Sequence, residues 1–150
     1  MRLLNEFVIK GSPITRTAQQ KTIAKFGNQT RLVKKKEVLK AEAILRDQLL
    51  PFVPDEPYDG ALMIRVLWLF DKKQMTKKMA HSFKITRPDN DNMLKGMADL
   101  MSDMGFFRDD AQLSKVDLTK AWNKDYPGTF VQIWSIEDDY DELVMNWRNI

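Results

Sequence analysis

The segment Arg87-Pro88-Asp89-Asn90-Asp91-Asn92-Met93-Leu94-Lys95 holds two carboxylates two residues apart, with a lysine four residues after the second. Pro88 disfavours the helical region for Arg87, so the chain arrives extended and a helix starts after it. Asp91 falls at the N-cap or in the first turn, where the helix dipole stabilises its charge. Lys95 lies one turn above it on the same face. A second acidic pair, Asp109-Asp110, follows directly after Gly105-Phe106-Phe107-Arg108. A chain that leaves a short helix and turns back into a strand can bring this pair near the first. Three or four carboxylates and one lysine are the equipment of a Mg²⁺-dependent phosphodiesterase, with Mn²⁺ as a substitute ion. Such a cation takes hard oxygen ligands, polarises a phosphoryl oxygen and makes hydroxide available near neutral pH. Lys95 would stabilise the charge that develops on phosphorus or orient the attacking water.

Composition narrows the chemistry to this kind. The 150 residues include no cysteine and one histidine, which excludes disulfides, thiolate-bound zinc, iron–sulfur clusters, thiol nucleophiles and multi-histidine metal sites. The formal net charge of +3 conceals a division: residues 1–87 carry 18 Lys/Arg against 8 Asp/Glu, whereas residues 88–150 carry 6 against 13. A basic part beside a carboxylate-rich part suits a polyanionic partner. The first residues lack the apolar region of a signal peptide. The longest apolar run, Ala61–Phe70, is interrupted by Arg65 and too short to cross a bilayer. The expectation is a cytoplasmic protein without membrane contact.

The elements that must position these residues read as one α+β domain over 1–136, a mixed sheet packed with about two helices, followed by an acidic tail over 137–150. Residues 2–10 read as a strand ended by Gly11-Ser12-Pro13. Thr22–Phe26 and Gln29–Val33 flank Gly27-Asn28, a hairpin or else a mobile basic loop. Residues 34–50 have the apolar spacing of a helix. Residues 60–70 read as a central strand buried on both faces, and 71–86 as a basic loop. From Asn90 or Asp91 to Ser102 or Asp103, a helix puts Met93, Leu94, Met97, Ala98, Leu100, Met101 and Met104 on one arc. Gly105 ends it. Strands over about 112–122 and 129–136 follow, joined as a hairpin through Lys124–Gly128. The tail reads as a short amphipathic helix.

Pro88-Asp89-Asn90-Asp91-Asn92 with Lys95, then Asp109-Asp110-Ala111-Gln112, resembles the RusA family of Holliday junction resolvases, whose pattern is Asp-x-Asp-Asn-x-x-Lys followed by Asp-Asp-x-Gln. The surroundings are similar over roughly residues 5–136. The resemblance implies a RusA-like fold, with Asp89, Asp91 and Asp110 as metal-binding catalytic carboxylates and Lys95 as the catalytic lysine. Asp109 and Asn92 would assist. It also implies a homodimer that cuts four-way DNA junctions symmetrically in recombination and repair, of a type often encoded by phages or prophages, acting in a bacterial or phage-infected cell.

Simpler readings compete. Asp91, Lys95 and Asp99 at four-residue steps also fit a solvated ion-pair row, and Asp109-Asp110 alone fits an ordinary turn. The methionines and Trp68, Trp122 and Trp134 fit core or interface, Trp147 a tail anchor, and His81 a solvated loop residue. Arg16, Lys21, Lys25, Arg31, Lys34, Lys35, Lys72, Lys73, Lys77, Lys84 and Arg87 together fit a surface for DNA phosphates, which positions a protein but specifies no sequence. The alternatives to a junction nuclease are a flap or fork nuclease, a non-enzymatic basic DNA-binding module, and a Mg²⁺-dependent hydrolase of small phosphate esters.

Overall fold

The computed structural model describes residues 1–15, 21–72 and 74–149. Its strands are β1 (Arg2–Lys10), β2 (Lys21–Phe26), β3 (Gln29–Lys34), β4 (Leu62–Phe70), β5 (Leu113–Trp122) and β6 (Gly128–Ser135). Its helices are α1 (Lys36–Leu49), α2 (Asn90–Met104) and α3 (Tyr140–Val144). β2 and β3 pair as a separate antiparallel hairpin around Gly27-Asn28, the first of the two readings left open for this segment. The other four strands form one mixed sheet in the order β1-β6-β4-β5, so the chain is α+β as its sequence indicated, with α3 a short third helix.

Both long helices cover the same face of this sheet. Alternation along β4 sends Leu62, Ile64, Val66, Trp68 and Phe70 towards them, where they join Phe7, Ile9, Val131 and Ile133 from the neighbouring strands. Met93, Met97, Ala98, Leu100 and Met101 supply the contribution of α2; Val38, Ala41 and Leu49 are the buried residues of α1. The expectation that β4 is buried on both faces is therefore corrected. On its other side Met63 is buried, but Arg65 is exposed and donates to Asp117 on β5 (2.8 Å), and Leu67 and Leu69 are half-buried.

The final pair of strands also differs from expectation. β5 and β6 do not pair with each other: β5 lies parallel to β4, and β6 lies antiparallel to β4 on its opposite edge. Residues 123–127 pass across the end of β4, where the Asn123 N–H donates to the Phe70 carbonyl (2.8 Å). The physical reason lies in the crossover. A strand that follows a helix back to the same sheet settles parallel to the strand before the helix, and this gives one edge of β4 to β5 and leaves the other to β6.

α2 ends at Gly105, whose φ of 92° is the left-handed conformation that costs glycine little. The N–H groups of Gly105 and Phe106 close onto the carbonyls of Ser102 and Met101, and Phe106 and Phe107 then plunge into the core. Gly96 has no such reason to be glycine: it sits inside α2 without a positive φ, and a Cβ there would meet nothing within 4 Å. Gly96→Ala is expected to stabilise the fold by about 0.5–1 kcal/mol, raising the melting temperature by about 2–3 °C, as a thermal melt would report.

Candidate active site

The chain enters α2 under tight control. The Lys84 ammonium donates to the Thr86 carbonyl (3.3 Å), the Thr86 hydroxyl (2.6 Å) and the Arg87 carbonyl (2.6 Å). The Lys120 ammonium, from β5, donates to the carbonyls of Thr86 (2.9 Å) and Pro88 (2.7 Å). Two cations thus hold three consecutive carbonyls immediately before Asp89. Lys84 is 7% exposed, with its ammonium 5.3 Å from the ring centre of Phe70 and 4.8 Å from that of Trp122, where π faces attract the charge. Burial, reinforced by the ammoniums of Lys120 and Lys72, pushes its pKa down. This corrects the expectation that Lys84 faces DNA phosphate: its donors are spent inside the fold. Lys120 was missed, although a signal was there, since it alternates with Leu118 and Trp122 as a lysine facing inwards along a strand.

Asp89 occupies the N-cap position of α2 with extended backbone, yet its side chain makes no capping bond; its carbonyl accepts the Met93 N–H (3.1 Å). Asp91 lies in the first turn. Both are exposed, and Asn92 is half-buried beside them. Between the two acids, Asn90 Oδ1 is buried without a hydrogen-bond partner.

Further along the helix, the Lys95 ammonium lies 3.1 Å from Asp99 Oδ1 and 3.8 Å from Asp110 Oδ2. It makes no ion pair with Asp91, so the helical row reads from Lys95 towards Asp99. The hydrogen bond from Lys95 to Asp99 raises the lysine's pKa. Asp110 is pushed up by its hydrogen bond with Asp109, then by burial and by Asp99, while Lys95 pulls it down. Asp109 moves the opposite way: the Ala111 N–H donates to its carboxylate (2.9 Å) and lowers its pKa. The adjacent acids therefore have different work, Asp109 capping a helical turn over Asp110–Gln112 and Asp110 facing the flank of α2.

Gln112 fastens this turn with both ends of its amide. Oε1 accepts from the N–H groups of Arg108 (2.8 Å) and Asp109 (3.2 Å), and Nε2 donates to the carbonyls of Tyr58 (3.0 Å) and Gly60 (3.1 Å). Gln112→Ala removes all four bonds. It is expected to destabilise by about 2 kcal/mol, a fall of about 4–8 °C in melting temperature, as a thermal melt would report.

The structure thus brings Lys95, Asp99 and Asp110 together and leaves Asp89 and Asp91 at the helix start. From Asp91 to Asp99 the helix rises by about 12 Å, and Asp110 docks towards the far end of that interval. Among the described residues no three acidic or histidine side chains gather closely enough to hold a metal ion. In kind the donors fit a hard divalent cation: they are carboxylates without sulfur or imidazole, and Asp110 is crowded by two like-charged neighbours.

Of the expected phosphate contacts, Lys25, Arg31, Lys35, Lys72, Lys77 and Arg87 are exposed. Arg31 lies over the Phe26 ring (5.5 Å) and Lys72 over Trp122 (5.4 Å). Arg16 and Lys73 lie outside the described residues, as do the side chains of Lys21 and Lys34. Among the described residues no helix is long and apolar enough to cross a membrane.

Comparison with known proteins matches the family described as Endodeoxyribonuclease RusA to residues 11–134. A curated relative, the crossover junction endodeoxyribonuclease RusA of Lactococcus phage r1t, is 25% identical over 116 residues, covering 77% of this chain and 87% of the relative.

Proposed function

The chain belongs to the RusA family of endodeoxyribonucleases and is a nuclease, and from that premise we propose that it resolves four-way DNA junctions by divalent-metal-dependent hydrolysis of a phosphodiester in each of two strands. Membership in a nuclease family removes the non-enzymatic binding module. The observation that carries the reading is the placement of Asp110 against Lys95 on the flank of the helix that opens with Asp89 and Asp91.

Asp89, Asp91 and Asp110 would hold Mg²⁺, or Mn²⁺ in its place, with Asp110 leaving its contact with Lys95 and Asp99 to meet the acids at the helix start. The chemistry a bound divalent ion supplies is polarisation of the phosphoryl group and hydroxide near neutral pH. Asp99 raises the pKa of Lys95, and the lysine would act on the negative charge that develops. Asp109, through its cap, and Asn92, beside the helix start, support the placement of the acids. Lys84 and Lys120 fix the approach to Asp89. The exposed cations Lys25, Arg31, Lys35, Lys72, Lys77 and Arg87 would follow DNA phosphates, with Arg16, Lys21, Lys34 and Lys73 extending the same basic segments. Two copies related by a two-fold axis would present one site to each of two equivalent strands of a junction. The setting that fits this chemistry is recombination and repair of DNA in the cytoplasm of a bacterial or phage-infected cell.

The test is a panel of end-labelled four-way junction, flap, fork and linear duplex, with and without Mg²⁺, alongside sedimentation of the protein. Symmetric junction nicking that needs the cation and a dimer in solution are expected. Faster cleavage of the flap or fork would replace the junction as substrate, and hydrolysis of small phosphate esters undiminished by competitor DNA would remove DNA altogether.

A further inference from the structure

Just ahead of the acidic segment, two large apolar side chains stand in solvent on a fixed backbone. Ile85 is 93% exposed and Phe83 is 74% exposed, while Lys84 between them is 7% exposed. The segment is not a slack loop. Phe83 bridges antiparallel to Ala121 on the outer edge of β5, the Lys84 N–H donates to the Lys120 carbonyl (3.0 Å), and the Ser82 carbonyl accepts the Trp122 N–H (2.8 Å). The inward lysine then locks residues 86 and 87 by its three hydrogen bonds. An extended chain alternates its side chains, so Phe83 and Ile85 project together, away from Lys84; the chain then bends through residues 86–88, where Arg87 is again exposed. Asp89 follows Ile85 by four positions, a span of at most about 14 Å.

We propose that Phe83 and Ile85 form an apolar wedge that enters the base stack at the branch point of the DNA, while Arg87 holds a flanking phosphate. The proposal deepens, and rests on, the reading of branched DNA as substrate. The occupant follows from the surroundings. The exposed cations Lys72, Lys77 and Arg87 flank the apolar pair in the sequence and favour a polyanion over an apolar protein surface. Apolar side chains inserted at a base step unstack it, and the cost is least where pairing and stacking are already interrupted. A rigid wedge near the acids would let the enzyme register the branch point before the strand reaches Asp89.

The experiment places 2-aminopurine at the branch of a four-way junction and reads its fluorescence on binding in EDTA. With wild-type protein the signal should rise, as an unstacked base emits more strongly. In the double variant Phe83→Ser, Ile85→Ser the rise should disappear and junction affinity should fall by about ten-fold, with linear duplex binding unchanged. Phe83→Leu alone, which keeps an apolar tip, should retain most of the signal and checks that the exposed segment tolerates substitution. A wild-type rise in the double variant overturns the wedge. So does a double variant that sediments as a monomer where wild type is a dimer, since the patch would then contact a second copy. If wild type binds junction and duplex alike with no rise, the wedge fails. If it also fails to nick any junction in Mg²⁺, the branched-substrate reading fails with it.

Discussion

Asp89→Asn and Asp91→Asn are each expected to reduce four-way junction cleavage in Mg²⁺ by about 10³-fold or more, while junction binding without the cation holds or tightens. The rate loss follows from the proposed role of both acids as ligands of an ion whose charge stabilisation amounts to several kcal/mol, at roughly ten-fold per 1.4 kcal/mol. The sign of the binding change follows from charge: both acids are exposed at the helix start, and an uncharged isostere repels phosphate less. Asp89 makes no capping bond and Asp91 no ion pair with a cation among the described residues, so neither exchange should disturb the fold. Asp103→Asn, an exposed acid later on the same helix, serves as the control and should cleave normally. Gel-shift and single-turnover assays on the same junction separate the two effects. Full activity in either variant would remove Asp89 and Asp91 from the reaction.

Lys95→Ala is expected to lower turnover by about 10²-fold with junction affinity within about three-fold of wild type. The asymmetry arises because the ammonium faces Asp99 and Asp110, where it offsets local acid charge and is poorly placed to track the DNA backbone. A second readout has a defined sign. Lys95 pulls the Asp110 pKa down against neighbours that raise it. Without the lysine that pKa rises further, so the acid limb of the pH–rate profile should move to higher pH. A variant that loses affinity in step with turnover would make Lys95 a DNA-binding residue.

The parts of this architecture written in local pattern were legible. The α2 arc of Met93, Met97, Ala98, Leu100 and Met101 is a helical period and nothing else, and Gly105 marks its end. β1 and the hairpin around Gly27-Asn28 carry equally local signals. What local pattern could not convey was competition for β4. Tyr126-Pro127-Gly128 reads the same whether the chain reverses beside β5 or passes over the end of β4 to its free edge, and only the parallel crossover through α2 decides between them. The acids suffered a similar ambiguity. Spacing put Asp109-Asp110 near α2, but their separate work depends on Gln112 reaching Tyr58 and Gly60, far away in sequence. Lys84 looked like its basic neighbours because burial of one lysine among several has no compositional trace.

The strand order has a consequence for the birth of the molecule. β1, made before the other strands of this sheet, pairs among the described residues with β6, and β4 gains its second partner from the same strand. Contacts so distant in sequence close late and at high entropic cost. A chain leaving the ribosome carries α2 and its acids well before Gly128 appears, yet the sheet on which that helix rests lacks a middle strand until residue 135 has emerged. The nascent chain therefore holds α2 on an unfinished platform, and the sheet that positions this helix is complete only once β6 has been made.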